Sequence, residues 1–169
     1  MPTEWETFYF MMGSAAAGLI GLLFVVVTLS GEIDATKAAR AQGTFLTPTV
    51  FHFVAAVIIS AAAVMPNLHA AAMATAIAIP SIIGFSFAAR ATLQMFRGTA
   101  NAPHWTDYFF YGALPTVIYV WLIASAWGAW QGVSIAYTGV GIGVLALLLL
   151  GIRDAWDLVT WLAYHRHEL

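Results

Sequence analysis

The chain has 169 residues, of which 62% are hydrophobic and only 8% charged, with a formal net charge of -2 and no cysteine. A soluble domain carries about 25% charged residues, so this sequence has too few to build a water-facing surface. The balance of charge excludes the basic footprint that nucleic-acid binding requires, and the lack of cysteine excludes disulfides, thiolate catalysis, zinc–thiolate sites and iron–sulfur ligation.

The length suits one domain. Five apolar stretches of about 20 residues use most of it and leave no room for a separate soluble catalytic domain. The expected fold is all-α: a single polytopic domain with spans over 8–30, 45–65, 70–89, 108–130 and 133–152, and a short interfacial tail over 153–169. No positive cluster precedes the first stretch, where Glu4 and Glu6 stand instead. Span one is therefore expected to stay in the membrane and not to be a cleaved leader.

Span one opens on Trp5 and Tyr9, rings of the kind that settle at a lipid–water interface. Its middle carries Gly13, Ala17 and Gly21 on one stripe, with Ser14 and Gly18 beside it. Small residues at that spacing let two helices approach closely in lipid. A loop over 31–44 follows, with Glu32, Asp34, Lys37 and Arg40 and no proline. It reads as a short surface helix in which Asp34 and Lys37 are spaced to pair.

Span two begins near Thr47-Pro48, where a first-turn proline gives up an N–H that has no partner anyway. Pro66-Asn67-Leu68-His69 makes a short uncharged turn into span three. Pro80 removes a helical hydrogen bond in mid-span, and Thr75 and Ser81 are near enough to help satisfy the freed carbonyl. A second loop carries Arg90, Arg97, His104 and Asp107. Span four is bracketed by Trp105 at one end and by Trp127 and Trp130 at the other. Gln131-Gly132 is a tight turn into span five, where Gly139 and Gly143 form a GxxxG pair. That pair is common in membrane helices. The tail places Trp156, Val159, Leu162 and Ala163 on one helical face and Arg153, Asp154 and Asp157 elsewhere. It reads as a continuation of span five into the interface or as a short helix lying along it.

Threading these spans back and forth puts Lys37, Arg40, Arg90, Arg97, Arg153 and Arg166 on one face, and Glu4 and Glu6 on the other. Cytoplasmic loops are enriched in Lys and Arg, so the expected topology is N-terminus outside and C-terminus inside.

His52 is the only ionisable side chain well inside a span, ~10 Å deep at ~1.5 Å of rise per residue. An ionisable group in the membrane points to a proton relay, an ion path or a ligand contact. The alternative is a neutral imidazole hydrogen-bonded to a neighbouring helix. Arg90 reads as a snorkelling interface residue or as a partner of a carboxylate on the same side. Arg153 and Asp157 are four apart and share a helix face, with Asp154 turned toward Trp161. The group reads as an interfacial anchor, as a network between helices or subunits, or as an ion site, although two aspartates supply few of the oxygens a cation wants. His165 and His167, two apart, point in different directions on a helix. No metal site is expected, no cofactor fingerprint is present, and neither a GxSxG elbow nor any other catalytic constellation appears.

Gly18-Leu19-Ile20-Gly21-Leu22-Leu23-Phe24-Val25 and Ile152-Arg153-Asp154-Ala155-Trp156-Asp157-Leu158 resemble the opening and closing segments of a group of uncharacterised small bacterial inner-membrane proteins, in which Asn often replaces the residue at 154. The resemblance covers the two ends of the chain, the first segment extending from Phe8 to Leu29. It implies a bacterial inner-membrane protein and no activity. Two functions fit the sequence. One is a homo-oligomer with a channel- or transporter-like role, its copies meeting through the small-residue faces. The other is a non-catalytic accessory or scaffolding subunit of a larger membrane complex.

Overall fold

Every described segment of regular structure is helical, as long apolar stretches with few breakers require when no water is present to satisfy the backbone. A computed structural model of the chain describes residues 5–29, 47–97, 106 and 108–165. They form α1 (Glu6–Leu29), α2 (Thr47–Val64), α3 (Ala70–Arg97), a π-helical turn (Tyr108–Ala113) leading into α4 (Leu114–Trp130), and α5 (Ile135–His165). The expected loop helix over 31–44, with Asp34, Lys37 and Arg40, lies outside the described residues, as do His104, Asp107, Arg166 and His167.

Helices α2, α3, α4 and α5 pack in a ring, each against the next, and α1 lies outside that ring against α2 and α5. Helix α2 is thus packed against α1, α3 and α5. Thr49, Phe53, Ala55, Ala56 and Ile59 of α2 are all fully buried. Two tight turns make the hairpins. Between α2 and α3, Asn67 takes a left-handed conformation with φ 58°, which a short polar side chain tolerates. Between α4 and α5, Gly132 has φ 76°. There the Gly132 N–H donates to the Ala129 carbonyl and the Val133 N–H to that of Gly128, the paired bonds of a Schellman cap.

Four helices are long and apolar enough to cross a membrane: Glu6–Thr28, Ala70–Leu93, Tyr108–Trp130 and Ile135–Thr160. The fifth apolar helix, Pro48–Val64, is shorter. The outer surface is lined with large apolar side chains such as Phe10, Phe24, Trp121, Ile135, Leu149 and Trp156. Exposed apolar surface on that scale marks contact with lipid or protein, and the chain is a helical membrane protein.

The boundaries differ from the expected spans in two places. Span three does not stop at 89 but runs on to Arg97. The tail is not a separate interfacial helix, because α5 is continuous over 31 residues from Ile135 to His165. No proline or turn residue interrupts it after Gly151, and the Arg153–Asp157 pair supports the helix across the predicted break. In α3, Pro80 sits inside an unbroken helix. Ser81 donates its hydroxyl to the Ile77 carbonyl and Thr75 to that of Ala71, so neither serves the Ala76 carbonyl that the proline leaves free.

The hairpins gather the start of α2, the end of α3, the π-helical turn and the last third of α5 at one end of the bundle. Phe51 and Phe87 stack edge to face there, 5.2 Å apart. Arg90, Arg153, Asp154 and Asp157 all lie at this end, whereas Glu6 lies at the opposite end beside Asn67.

Candidate functional site: a buried polar chain at one end of the bundle

Helix α5 turns Val140, Val144, Leu147, Gly151, Asp154 and Leu158 inward at intervals of three and four residues, and all are buried. Asp154 therefore occupies a core position of an otherwise apolar stripe, and it is only 1% exposed. Opposite it stands His52 on α2, 5% exposed. Two glycines bring these helices and their neighbours close enough to meet. A Cβ on Gly151 would sit 2.6 Å from the Phe53 ring, so the glycine lets α2 approach α5 one turn from Asp154. A Cβ on Gly84 would overlap the Tyr119 ring. Tyr119 of α4 thus lies directly across the α3 backbone, and its hydroxyl reaches into the bundle.

The polar atoms form a chain. His52 Nδ1 and the Tyr119 hydroxyl are 2.6 Å apart, a buried hydrogen bond. His52 Nε2 faces Asp154 Oδ2 at 3.8 Å, beyond direct hydrogen-bond range. Asp154 Oδ2 and Ser60 Oγ are buried without a hydrogen-bond partner among the described residues. The other carboxylate oxygen, Oδ1, accepts from Arg153 Nη1 at 3.2 Å. Arg153 also holds Asp157 Oδ2, at 3.0 Å, and the Tyr111 hydroxyl donates to that same oxygen at 2.9 Å. The Arg153 guanidinium lies over the Phe110 ring, 3.9 Å from its centroid. An arginine there keeps its charge in weakly polar surroundings through planar stacking and forked donors.

Burial grades along this chain. The Arg153 and Asp157 side chains are 30% and 33% exposed, that of Asp154 1%. Polar groups thus lead from the bundle end through Asp157 and Arg153 to Asp154, His52 and Tyr119 inside. The cluster holds two carboxylates and one permanent cation, so one further positive charge balances it. His52 and Asp154, with facing atoms 3.8 Å apart, are the groups placed to carry it as a proton. A shift of about 1 Å brings them to hydrogen-bonding distance.

Of the residues singled out from sequence, His52, Arg153, Asp154 and Asp157 come together, and Arg90 does not. Arg90 is exposed and outside the cluster. Asp154, expected from the helical spacing to turn toward Trp161, turns into the bundle toward His52. The small residues divide. Gly139 packs on Ser125 and Gly143 on Leu122, both within the α4–α5 contact, and Gly13 packs on Ser60 of α2. Gly18 and Gly21 meet nothing within 4 Å, and Ala17 is exposed. The packing face of α1 is instead Tyr9, Met12, Ala16 and Leu23. It is anchored at the far end by the Tyr9 hydroxyl, which donates to the Tyr137 carbonyl at 2.8 Å.

Sequence reasoning missed Tyr119 and Tyr111. Tyrosines favour the two edges of a membrane, where one end is wet. A tyrosine half-way along span four, away from both edges, signals a hydroxyl that has found a buried partner.

A hydroxyl, an imidazole and a carboxylate in sequence also make a nucleophile–base arrangement. Such chemistry needs a cavity beside it for substrate. Two surface grooves lie elsewhere, one beside Glu6, Phe10 and Asn67 and the other between Ala74, Ala78, Trp127 and Trp130. Among the described residues no three His, Asp or Glu side chains are grouped to hold a metal ion. No protein-family model, curated protein or solved structure matches the chain.

Proposed function

We propose that the chain is a five-span inner-membrane protein of bacterial type, N-terminus outside and C-terminus inside, that takes up and passes protons through the His52–Asp154 pair. It does so as a homo-oligomer with a channel- or transporter-like role. The observation that carries this reading is a buried carboxylate oxygen without a partner, facing a buried imidazole across 3.8 Å. Ionisable groups are costly in a membrane interior and are retained where they move charge. Of the ordinary side chains, imidazole is the one that gains and loses a proton near neutral pH. A metal cation fits less well, because Arg153 already occupies one face of both carboxylates and oxygen ligands are few. The six-to-none division of Lys and Arg supports the topology. The exposed small residues Ala17, Gly18 and Gly21 of α1 supply a face on which copies can meet.

The test is a proteoliposome assay with an internal pH-sensitive dye and an imposed potential. The reading predicts proton flux above that of protein-free vesicles, and none when the gradient is one of potassium without protons. Absence of proton flux from a well-folded wild-type protein overturns it.

One observation favours the second reading, an accessory or scaffolding subunit. The inner polar groups are buried, and α1, α3, α4 and α5 each expose a run of large apolar side chains. In that case the protein co-purifies in fixed ratio with a larger membrane partner, and the polar chain serves to lock the bundle.

A further inference from the structure

The entrance to the polar chain is covered by two consecutive side chains of the π-helical turn. Phe110 lies over the Arg153 guanidinium, and the Tyr111 hydroxyl holds Asp157. We infer that this turn is the gate of the chain: a shift of the turn from π to α winding withdraws both side chains and opens Asp154 to water. The inference rests on the proton-transfer reading above and adds its control.

The local sequence explains why the backbone widens here. Pro115 lacks an N–H, and its ring crowds the carbonyl four residues back, that of Tyr111. A regular α-helix across 111–115 is therefore strained, and the wider turn relieves it. Gly112 is buried against Thr92 of α3, where a Cβ would lie 2.7 Å from the Thr92 hydroxyl, so a larger residue in this winding would have to displace that side chain. The Thr116 hydroxyl donates to the Gly112 carbonyl at 2.7 Å and ties down the junction with α4. Single π turns inside α-helices occur frequently at functional sites. They hold a local register that differs from the α form by a rotation of the side chains they carry. Here those side chains are the two that cover Arg153 and Asp157.

The gate also explains an asymmetry in the cluster. Asp157 receives both Arg153 and Tyr111, whereas Asp154, one turn deeper, has only Arg153 on one oxygen. Releasing Tyr111 leaves Arg153 free to swing with Asp157 toward water, and the inner carboxylate is then exposed along the same path.

The test uses the full chain in liposomes and a water-soluble carbodiimide, which labels carboxyl groups that water reaches. The labelled fraction at Asp154 is read by fragmentation of the peptide that carries it. Wild-type protein is expected to label slowly at Asp154. Pro115→Ala, which permits α winding, and Tyr111→Phe, which frees Asp157, are each expected to raise the labelling rate several-fold. The double variant is expected to exceed neither single one by much, because both act on one gate. Equal rates in wild type and both variants, or rapid labelling of wild-type Asp154, overturn the gate. Tyr111→Phe removes one hydroxyl only and keeps the comparison available should Pro115→Ala fail to fold. Labelling does not depend on transport. A wild type without flux whose labelling still responds contradicts the proton-transfer reading and leaves a gated carboxylate in place.

Discussion

At the scale of single residues, the chain of contacts through His52 predicts an order of costs. Tyr119→Phe removes one atom and leaves a buried imidazole nitrogen unsatisfied, a loss of about 1–3 kcal/mol. Arg153→Met is worse. It strands the buried Asp154 carboxylate without its cation, and leaving a buried charged group without its hydrogen-bond partner costs about 3 kcal/mol or more. Asp154→Leu costs less than Arg153→Met, because Arg153 keeps Asp157 and is partly exposed. Arg90→Gln, at an exposed position, shifts stability by no more than about 0.5 kcal/mol. Thermal unfolding in one detergent ranks the four variants, and an Asp154→Leu protein less stable than Arg153→Met would contradict the geometry. His52 was legible in the sequence because no other ionisable group lies so deep in a span. Asp154 was legible as a charge but not as a direction. The inward stripe that runs through it shows only once Gly151 is known to lie against Phe53 of α2. Tyr119 was hidden, since its partner lies 67 residues away and no local spacing joins them.

At the scale of helices, the glycines separate into those that set distances and those that do not. Gly84, Gly143 and Gly151 each hold a neighbouring side chain where a Cβ would stand. Gly84→Leu and Gly151→Leu should each lose at least about 1–3 kcal/mol by overpacking, and both should disturb the polar chain, through Tyr119 and Phe53 respectively. Gly18→Leu and Gly21→Leu face open space and should leave the thermal stability of the isolated chain unchanged. If copies meet through α1, the same two variants should shift the oligomer toward monomer in native mass spectrometry. An unchanged oligomer would remove α1 as the contact. The span pattern was legible because hydropathy marks four of the helices plainly. Which stripe of α1 packs was not, because Gly13/Ala17/Gly21 and Met12/Ala16/Leu23 have the same period, and only the position of α2 chooses between them. At Arg153 the sequence left two readings, a continuation of span five or a separate short helix, and α5 takes the first. Charges look like the end of a membrane helix, yet here they pair along it.

At the scale of the whole molecule, the described charges at one end, Arg90, Arg153, Asp154 and Asp157, stand opposite Glu6 at the other. With the positive-inside rule, a reporter fused after Leu169 should behave as cytoplasmic, and a periplasmic signal from it would reverse the orientation and the direction in which the polar chain opens. In the proposed function a proton passes through His52 and Asp154. The most direct measurement compares proton flux of the wild type, His52→Ala, Asp154→Asn and Arg90→Gln in liposomes at equal protein content, each first shown to be folded. The account predicts flux in the wild type and in Arg90→Gln, and flux no greater than that of empty vesicles in the other two. Flux undiminished in His52→Ala would contradict it.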